Sequence, residues 1–325
     1  MTIRAIDLFC GGGGSSWGAR TAGAQLVGAV DAWPIATSVY ADNFPTARRN
    51  VLTYTLSDTV GPEIFDGIGK VDLLIASPEC TNHSIARGAR IPCEESRRSG
   101  WFVKKFIEDL SPRWIVLENV NNMRRWEGFE GLITELRSHG YNLRLQTLDA
   151  ASFGVPQNRK RLFIMGDRRA RPPIVQPTVS SFMAASTIIC KPGTFRTSPL
   201  FKEGRAEGTL ARAGSAIQAL GEGIPFLIVY YGSDRAGGWQ TLQRPLRTLT
   251  TLDRFALVVW EDGEPRMRML QVPELKAAMG ISDTYQMQHG TRRDRIRILG
   301  NGVAAPVMQA VIETLTGTAQ IAAAA

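Results

Sequence analysis

A run of glycines near the N-terminus is the first feature whose residue types and spacing indicate chemistry. Phe9-Cys10-Gly11-Gly12-Gly13-Gly14 directly follows residues 5–8, which are apolar except for Asp7. Glycines after a strand let the backbone turn sharply and approach a ligand, and the next helix presents free N–H groups to that ligand. Asp31 lies about 20 residues beyond Gly11, the usual offset for a carboxylate that binds ribose hydroxyls. The spacing predicts a nucleotide-type site and does not distinguish a dinucleotide from S-adenosylmethionine.

A candidate nucleophile follows the third apolar segment of the chain. Ser77-Pro78-Glu79-Cys80 ends that segment. Ligands bind at the carboxyl ends of strands in parallel sheets, so a cysteine there is placed for nucleophilic attack. Cys10 and Cys190 fit buried small hydrophobic residues, and Cys93, in a loop-like stretch, is the rival nucleophile. A metal site built on Cys80 and His83 is an alternative, although no second pair of ligands follows.

Two charged motifs complete the set of candidate chemical groups. Glu118-Asn119-Val120 ends the fourth apolar segment, and a carboxylate there can have a raised pKa and donate a proton. The alternative is a structural acid that caps the next helix. Gln157-Asn158-Arg159-Lys160-Arg161 precedes a further strand, and strand alternation puts Gln157, Arg159 and Arg161 on one face. That face is either an anion clamp or a solvated charged edge.

The elements that must position these groups are short apolar segments, typical of parallel strands covered on both faces. The segments are residues 5–9, 26–30, 71–76, 114–117 and 162–165. Apolar residues spaced three or four apart predict three helices. The first contains Phe102, Phe106 and Leu110, and the last contains Val307, Val311 and Leu315. The second contains Phe129, Leu132, Ile133 and Leu136, and Gly140 is its expected C-cap. The alternation predicts an α/β fold with a doubly wound sheet. Between Gly166 and Arg244 this rhythm is lost, which indicates a small second domain or a large insertion.

Composition narrows the class of protein. The 325 residues include 38 Lys+Arg and 30 Asp+Glu, for a net charge of +8 and a pI of 9.6. A polyanionic partner is therefore expected. Four cysteines without a Cys-x-x-Cys pair predict neither a disulfide framework nor a zinc site. No uninterrupted apolar run approaches the roughly 18 residues of a membrane span, so we expect a cytoplasmic protein.

The chain resembles the DNA (cytosine-5)-methyltransferases over nearly its whole length, because six short motifs occur in that family's order. The motifs are Asp7-Leu8-Phe9-Cys10-Gly11-Gly12-Gly13-Gly14, Ser77-Pro78-Glu79-Cys80, Glu118-Asn119-Val120, Gln157-Asn158-Arg159-Lys160-Arg161, Arg244-Pro245 with Thr248 and Thr251, and Leu299-Gly300-Asn301-Gly302-Val303. The resemblance implies a Rossmann-like methyltransferase sheet with a small target-recognition domain. It assigns residues 1–166 and 242–325 to the catalytic domain, whose C-terminal helix returns to the cofactor, and residues 167–241 to target recognition.

The same resemblance implies S-adenosylmethionine as the cofactor and a role for each motif. The implied cofactor-binding residues are Phe9, Gly11, Gly13, Asp31, Asn301 and Val303. The Cys80 thiolate would add to C6 of a flipped-out cytosine and so make C5 nucleophilic. Glu118 would stabilise negative charge at N3, Arg161 would contact O2, and Arg159 would position phosphate or the nucleophile.

The implied partner is double-stranded DNA, and we expect a monomer that needs neither a metal nor a membrane. The implied setting is restriction-modification near the nucleoid of a bacterial or phage-infected cell. Expected phosphate contacts come from Arg87, Arg90, Arg97 and Arg98, and from Arg292, Arg293, Arg295 and Arg297. Expected groove-entering loops carry Arg196, Lys202, Arg205, Arg212 and Arg235. The alternatives are an RNA cytosine-5 methyltransferase and a catalytically silent DNA-binding relative.

The chain departs from the family pattern near the nucleophile and near the adenine contacts. Glu79 stands directly before the candidate nucleophile, where proline is usual. Ala32 follows Asp31 where an aromatic residue is usual, and Trp33 comes one position later. The adenine-binding acid of the third family motif is not clearly placed, and Asp58 is one candidate. These differences concern the surroundings of the nucleophile and the contacts to adenine.

Overall fold

A computed structural model of the chain describes residues 2–79, 97–231 and 238–318. Its strands are β1 (Ile3–Leu8), β2 (Ala24–Asp31), β3 (Val51–Thr53), β4 (Leu73–Ala76), β5 (Trp114–Asn119), β6 (Asn142–Asp149), β7 (Lys160–Asp167), β8 (Ser198–Pro199), β9 (Phe226–Val229), β10 (Trp239–Thr241), β11 (Phe255–Glu261) and β12 (Glu264–Met269). Its α-helices are α1 (Gly14–Thr21), α2 (Pro34–Asn43), α3 (Lys104–Leu110), α4 (Phe129–Ser138), α5 (Glu207–Leu220), α6 (Val272–Ala277), α7 (Arg292–Asn301) and α8 (Ala305–Thr316). Short 3₁₀ helices span Pro45–Asn50, Pro62–Ile64, Arg98–Val103, Asn121–Arg125, Ala150–Phe153 and Ala185–Ile188.

The larger sheet contains seven strands in the order β3-β2-β1-β4-β5-β7-β6. Neighbours from β3 to β5 are parallel, which confirms the predicted α/β class. Strand β7 is antiparallel to both β5 and β6, so the prediction that residues 162–165 run parallel was wrong. The connection from Asp149 to Lys160 is too short for the crossover of a dozen or more residues that parallel pairing needs.

Both faces of this sheet are covered, as the apolar segments predicted. Alternate residues of β4 point to opposite sides, because side chains alternate along a strand. Leu73 and Ile75 pack on the side of α1, α2 and α8. Leu74 and Ala76 pack on the side of α3 and α4. The central strands are therefore buried on both faces, and their ends are the parts available for chemistry.

A second sheet contains five antiparallel strands in the order β10-β9-β11-β12-β8. Helix α5 packs on it through Ala213 and Ala216, against Phe226 and Val258. This sheet includes β11 and β12, which lie beyond residue 241, the expected end of the recognition domain. Between β10 and β11 the chain returns to the segment that precedes β7, where Leu246 forms an isolated bridge with Gln157.

The segment Arg292–Thr316 has the length and hydropathy of a membrane span, with a mean of 1.3 over its most apolar window. In the described structure 67% of that window is buried inside the fold. The segment is also divided into α7 and α8 around Gly302. The segment therefore belongs to the core of the fold, because α8 packs against α1 and the larger sheet.

Candidate active site

The glycine-rich loop turns between β1 and α1 through residues in left-handed conformations. Phe9, Gly11 and Gly13 have φ angles of 58°, 51° and 91°. The Gly11 N–H donates to Asp31 Oδ2 at 2.8 Å, and the Trp33 N–H donates to Asp31 Oδ1 at 2.9 Å. The carboxylate at the end of β2 thus holds the loop that follows β1.

The glycines of this loop differ in the space around them. A Cβ atom on Gly11 would meet nothing within 4 Å, so this position faces open space. A Cβ atom on Gly14 would lie 2.5 Å from the Val303 carbonyl oxygen, and one on Gly13 would lie 2.6 Å from the Phe44 ring. Gly13, a predicted cofactor residue, therefore lets the loop pack and does not line the adjoining cavity.

A cavity of about 650 Å³ lies over the carboxyl ends of β1, β2, β4 and β5. The candidate residues that it brings together are Phe9, Gly11, Asp31, Glu118, Arg161, Asn301 and Val303. They come from five separate stretches of the chain, and the sequence placed all of them in functional motifs. The cavity is therefore the candidate active site.

Glu118 and Arg161 meet inside this cavity. Arg161 Nε lies 3.2 Å from Glu118 Oε1, and the Glu118 side chain is 6% exposed. Burial raises the pKa of Glu118, while the positive charges of Arg161 and Arg159 oppose that rise. A buried carboxyl group beside one guanidinium can hold or share a proton, so the pair suits a polar, hydrogen-bonding substrate edge.

Arg159 occupies a different place from Arg161. Its side chain is buried, and its guanidinium donates to the carbonyl oxygens of Leu249, Gly300 and Gly302 at 3.0, 2.7 and 2.8 Å. It does not line the cavity. The described contacts make Arg159 a connection between the start of β7, the segment after β10 and the end of α7.

The candidate nucleophile Cys80 lies outside the described residues. So do its rival Cys93 and its possible metal partner His83, together with Arg87, Arg90 and Arg235. Ser77, Pro78 and Glu79, which precede Cys80, line the cavity. The stretch that leads to Cys80 therefore begins at the same cavity as Glu118.

Asn119 connects this stretch to β5, a role that the sequence did not assign. Its Nδ2 donates to the Pro78 carbonyl oxygen at 3.1 Å, and its Oδ1 accepts from the Val120 N–H at 2.8 Å. The side chain is buried. Asparagine directly after a candidate catalytic acid was the available signal, but only the pairing of β4 with β5 reveals its target.

The structure shows which of the residues considered for contacts to adenine line the cavity. Asp58 is exposed, lies 3.6 Å from Arg98 and does not line the cavity, so it is not supported as an adenine-binding acid. Tyr54, which follows the unpredicted strand β3, lines the cavity in that region. Trp33 also lines it, despite its shift by one position, and so does Phe102, whose ring centroid lies 6.5 Å from that of Phe9.

Several arginines that were expected to contact DNA bind the protein itself. Arg292 pairs with Asp253, and Arg295 donates to the His289 carbonyl oxygen. Arg205 donates to the Leu200 carbonyl oxygen at 3.2 Å. The exposed candidates within the described chain are Arg98, Arg196, Lys202, Arg293 and Arg297. Net charge correctly indicated many cations, but it does not distinguish those that brace the fold.

No cluster of three or more His, Cys, Asp or Glu residues that could hold a metal ion occurs within residues 2–79, 97–231 and 238–318.

The fold and the cavity define a class of protein: an α/β chain with a nucleotide-type site at the strand ends and a buried acid beside it. The sequence model of the C-5 cytosine-specific DNA methylase family matches residues 3–191, more than half of the chain. The chain belongs to this family.

Individual relatives agree with this assignment. The type II methyltransferase M.XorII of Xanthomonas oryzae is 32% identical over 51% of this chain and 41% of its own length. M.FnuDI of Fusobacterium nucleatum is 22% identical over 98% of this chain and 97% of its own. The solved methyltransferase EhMeth of Entamoeba histolytica superposes with a TM-score of 0.71 at 16% identity, over 98% of both chains, and supports the fold. The matches to the first four curated relatives span only 39% to 57% of their lengths.

Proposed function

We propose that this chain transfers a methyl group to C5 of cytosine in double-stranded DNA, with S-adenosylmethionine as the donor. The observation that carries the proposal is one cavity with two sets of groups. Gly11 and Asp31 provide an open turn and a carboxylate, which suit a nucleoside. Glu118 and Arg161 provide a buried acid and a cation, which suit the polar edge of a pyrimidine.

The cavity fits the cofactor in size and in chemistry. About 650 Å³ lies within the usual range for pockets that enclose small ligands. Asp31 would accept hydrogen bonds from ribose hydroxyls, and Phe9, Asn301 and Val303 would form the surrounding wall. Trp33 offers an aromatic face for the adenine ring. When bound, the cofactor supplies a methyl group on a positively charged sulfur.

Glu118 and Arg161 would act on the cytosine. Addition of a nucleophile to C6 pushes negative charge toward N3, and a protonated Glu118 beside N3 would stabilise that charge. Burial favours this protonated form, because it raises the pKa of the carboxyl group. Arg161, 3.2 Å from Glu118, would hold the carboxyl group in place and contact O2.

Cys80 is the proposed nucleophile. Its thiolate would form a bond to C6, so that C5 becomes the carbon of an enamine and can attack a methyl group. Loss of the C5 proton would restore the C5–C6 double bond and break the bond between carbon and sulfur. The base must leave the duplex for this reaction, at a cost of a few kcal/mol.

DNA sequence would be read by the unit around the second sheet. Phosphate contacts carry no sequence information, so discrimination needs side chains that reach base edges. Arg196 and Lys202 are exposed near β8, at the edge of this sheet. We propose that the reading unit extends from residue 168 to Met269, because β11 and β12 belong to the same sheet as β8, β9 and β10.

The test is methyl transfer to plasmid DNA by the purified chain with labelled S-adenosylmethionine, followed by bisulfite sequencing. We expect label at C5 of cytosine in a fixed sequence context, and a covalent adduct with 5-fluorocytosine DNA that survives denaturation. Label in RNA and none in DNA would support the RNA alternative instead. Binding to DNA without label or adduct would identify a silent relative.

A further inference from the structure

Arg297 lies in the wall of the cavity, although its sequence position suggested a phosphate contact. It belongs to α7, and its guanidinium carbon lies 4.5 Å from the centroid of the Trp33 ring. Both residues line the cavity together with Asp31. Arginine stacks on tryptophan through its flat guanidinium, and the contact stabilises both side chains in one arrangement.

Trp33 and Asp31 are also connected through the backbone. The Trp33 N–H donates to Asp31 Oδ1, while the Gly11 N–H donates to Oδ2. Arg297 stacks on Trp33, so one cation, one aromatic ring and one carboxylate form a continuous group at the start of α2. This group stands where a nucleoside would meet the cavity wall.

Burial and the neighbouring groups shift the pKa of Asp31 in opposite directions. Burial raises the pKa of Asp31, and the two backbone donors and the positive charge of Arg297 oppose that rise. Two other titratable groups face this region. Asp7 has a pKa raised to about 7 by burial, and burial also raises the pKa of the Cys10 thiol. Arg297 is the cation that acts on Asp31 within the described residues.

We propose that Arg297 is a positioning residue for the cofactor: it fixes the ring of Trp33, the residue whose backbone N–H holds Asp31, and its positive charge favours the carboxylate as the acceptor for ribose hydroxyls. This inference rests on the proposed cofactor. A charged acceptor makes a stronger hydrogen bond than a neutral carboxyl group. Arg297 therefore sets how tightly the cofactor binds and how far binding persists toward low pH.

Three variants distinguish the charge of Arg297, its flat stacking surface and the loss of any cation from this helix. Arg297→Met keeps much of the side-chain length and removes the charge. Arg297→Lys keeps the charge and loses the flat stacking surface. Arg293→Met is the matched control, since Arg293 is an exposed cation on the same helix that does not line the cavity.

The measurement is the Kd of S-adenosylhomocysteine by calorimetry between pH 5.5 and 8.5, with thermal melting to check folding. We expect Arg297→Met to weaken binding about tenfold at neutral pH, which corresponds to about 1.4 kcal/mol, and more at the acid end. Arg297→Lys should restore the pH profile but not the full affinity. Arg293→Met should bind as the unaltered chain does.

Two results would overturn the inference. One is an unchanged Kd in Arg297→Met, and the other is a loss of affinity that is equal at every pH. Neither depends on methyl transfer. If the unaltered chain bound the probe but methylated no DNA, the proposed function would fail while this comparison still held.

Discussion

Arg161 Nε lies 3.2 Å from Glu118 Oε1, and the two residues come from strands that run in opposite directions. Glu118 is near the end of β5, and Arg161 is near the start of β7. Antiparallel pairing brings an end and a start to the same edge of the sheet, where the carboxyl ends of β1, β2 and β4 also lie. A parallel β7 would have placed Arg161 at the opposite edge, away from the acid.

Glu118→Gln should lower the rate of methyl transfer by about 10²-fold or more, the scale of general acid catalysis. Glutamine keeps the shape of the side chain but cannot give up a carboxyl proton. The raised pKa of Glu118 extends the protonated form to higher pH than for an exposed glutamate. The rate contributed by Glu118 should therefore fall as pH rises through that pKa, and this fall should be absent in Glu118→Gln.

Single-turnover rates measured between pH 5.5 and 9 test this prediction. Asp58→Asn is a suitable control, because it removes an exposed carboxylate outside the cavity. Near-normal turnover of Glu118→Gln across the whole pH range would exclude the proton-donor role.

Cys80→Ala should abolish methyl transfer and leave the Kd of S-adenosylhomocysteine near its normal value. The thiolate acts on the base, so its loss need not disturb cofactor contacts. Cys93→Ala should retain activity and should still form the adduct with 5-fluorocytosine DNA. The reverse pair of results would identify Cys93 as the nucleophile.

The sequence predicted the site better than it predicted the sheet that builds it. The glycine loop, Asp31 and Glu118 follow apolar strands directly, so local pattern was sufficient to place them. The direction of β7 depends on the short connection 150–159. The spacing of apolar residues along a strand carries no information about the direction of that strand. Strand β6 was missed because six of its eight residues are half-buried or exposed at the sheet edge and it lacks a continuous apolar run.

Arg159 illustrates a second limit of sequence reading. The motif joined it to Arg161 as a pair of cations, but their surroundings differ completely. Arg159 donates to the carbonyl oxygens of Leu249, Gly300 and Gly302, which lie about 90 or more residues away in sequence. Only the tertiary fold brings such acceptors together, so the spacing of the two arginines could not separate their roles.

Arg159→Met should therefore destabilise the fold, whereas Arg161→Met should mainly slow the reaction. Removing Arg159 leaves three carbonyl acceptors without their charged donor, at a cost of roughly 3 kcal/mol. Urea unfolding and single-turnover rates of both variants check this contrast. If Arg159→Met were as stable as the unaltered chain but slower in methyl transfer, Arg159 would instead have a direct catalytic role.

Asp7→Asn should change how stability depends on pH. Asp7 is fully buried beneath the glycine loop and accepts from Ser16 Oγ at 2.7 Å. Burial raises its pKa from 3.8 to about 7, so the folded state binds a proton that the unfolded state releases between these values. The contribution of Asp7 to the free energy of unfolding is fully present below pH 4 and is lost as the pH rises through 7.

Asparagine resembles the protonated carboxyl group, so Asp7→Asn should be more stable than the unaltered chain at pH 8, by up to roughly 4 kcal/mol. The two should be similar at pH 4. Urea unfolding at both pH values provides the measurement, with exposed Asp58→Asn as the control. A stability difference that is the same at pH 4 and pH 8 would contradict the assignment of the proton to Asp7.

The unit proposed to read DNA sequence extends beyond residue 241 in the second sheet. Residues 167–241 end between β10 and β11, but β9 pairs with both β10 and β11. Exchange of this interval alone with that of a relative of different specificity would join strands from two proteins in one sheet. The second apolar core would also be divided, because it contains Phe226 from one side of the boundary and Val258 from the other.

We therefore expect that chimera to melt at a lower temperature and to lose activity. Exchange of residues 168–269 that keeps residues 244–251 should instead transfer the relative's methylation pattern. The retained residues preserve the pairing of Leu246 with Gln157 and the contact of Arg159 with Leu249. Bisulfite sequencing of plasmid from expressing cells reads the pattern directly. A stable, active chimera of the longer interval that keeps the original pattern would place recognition in the rest of the chain.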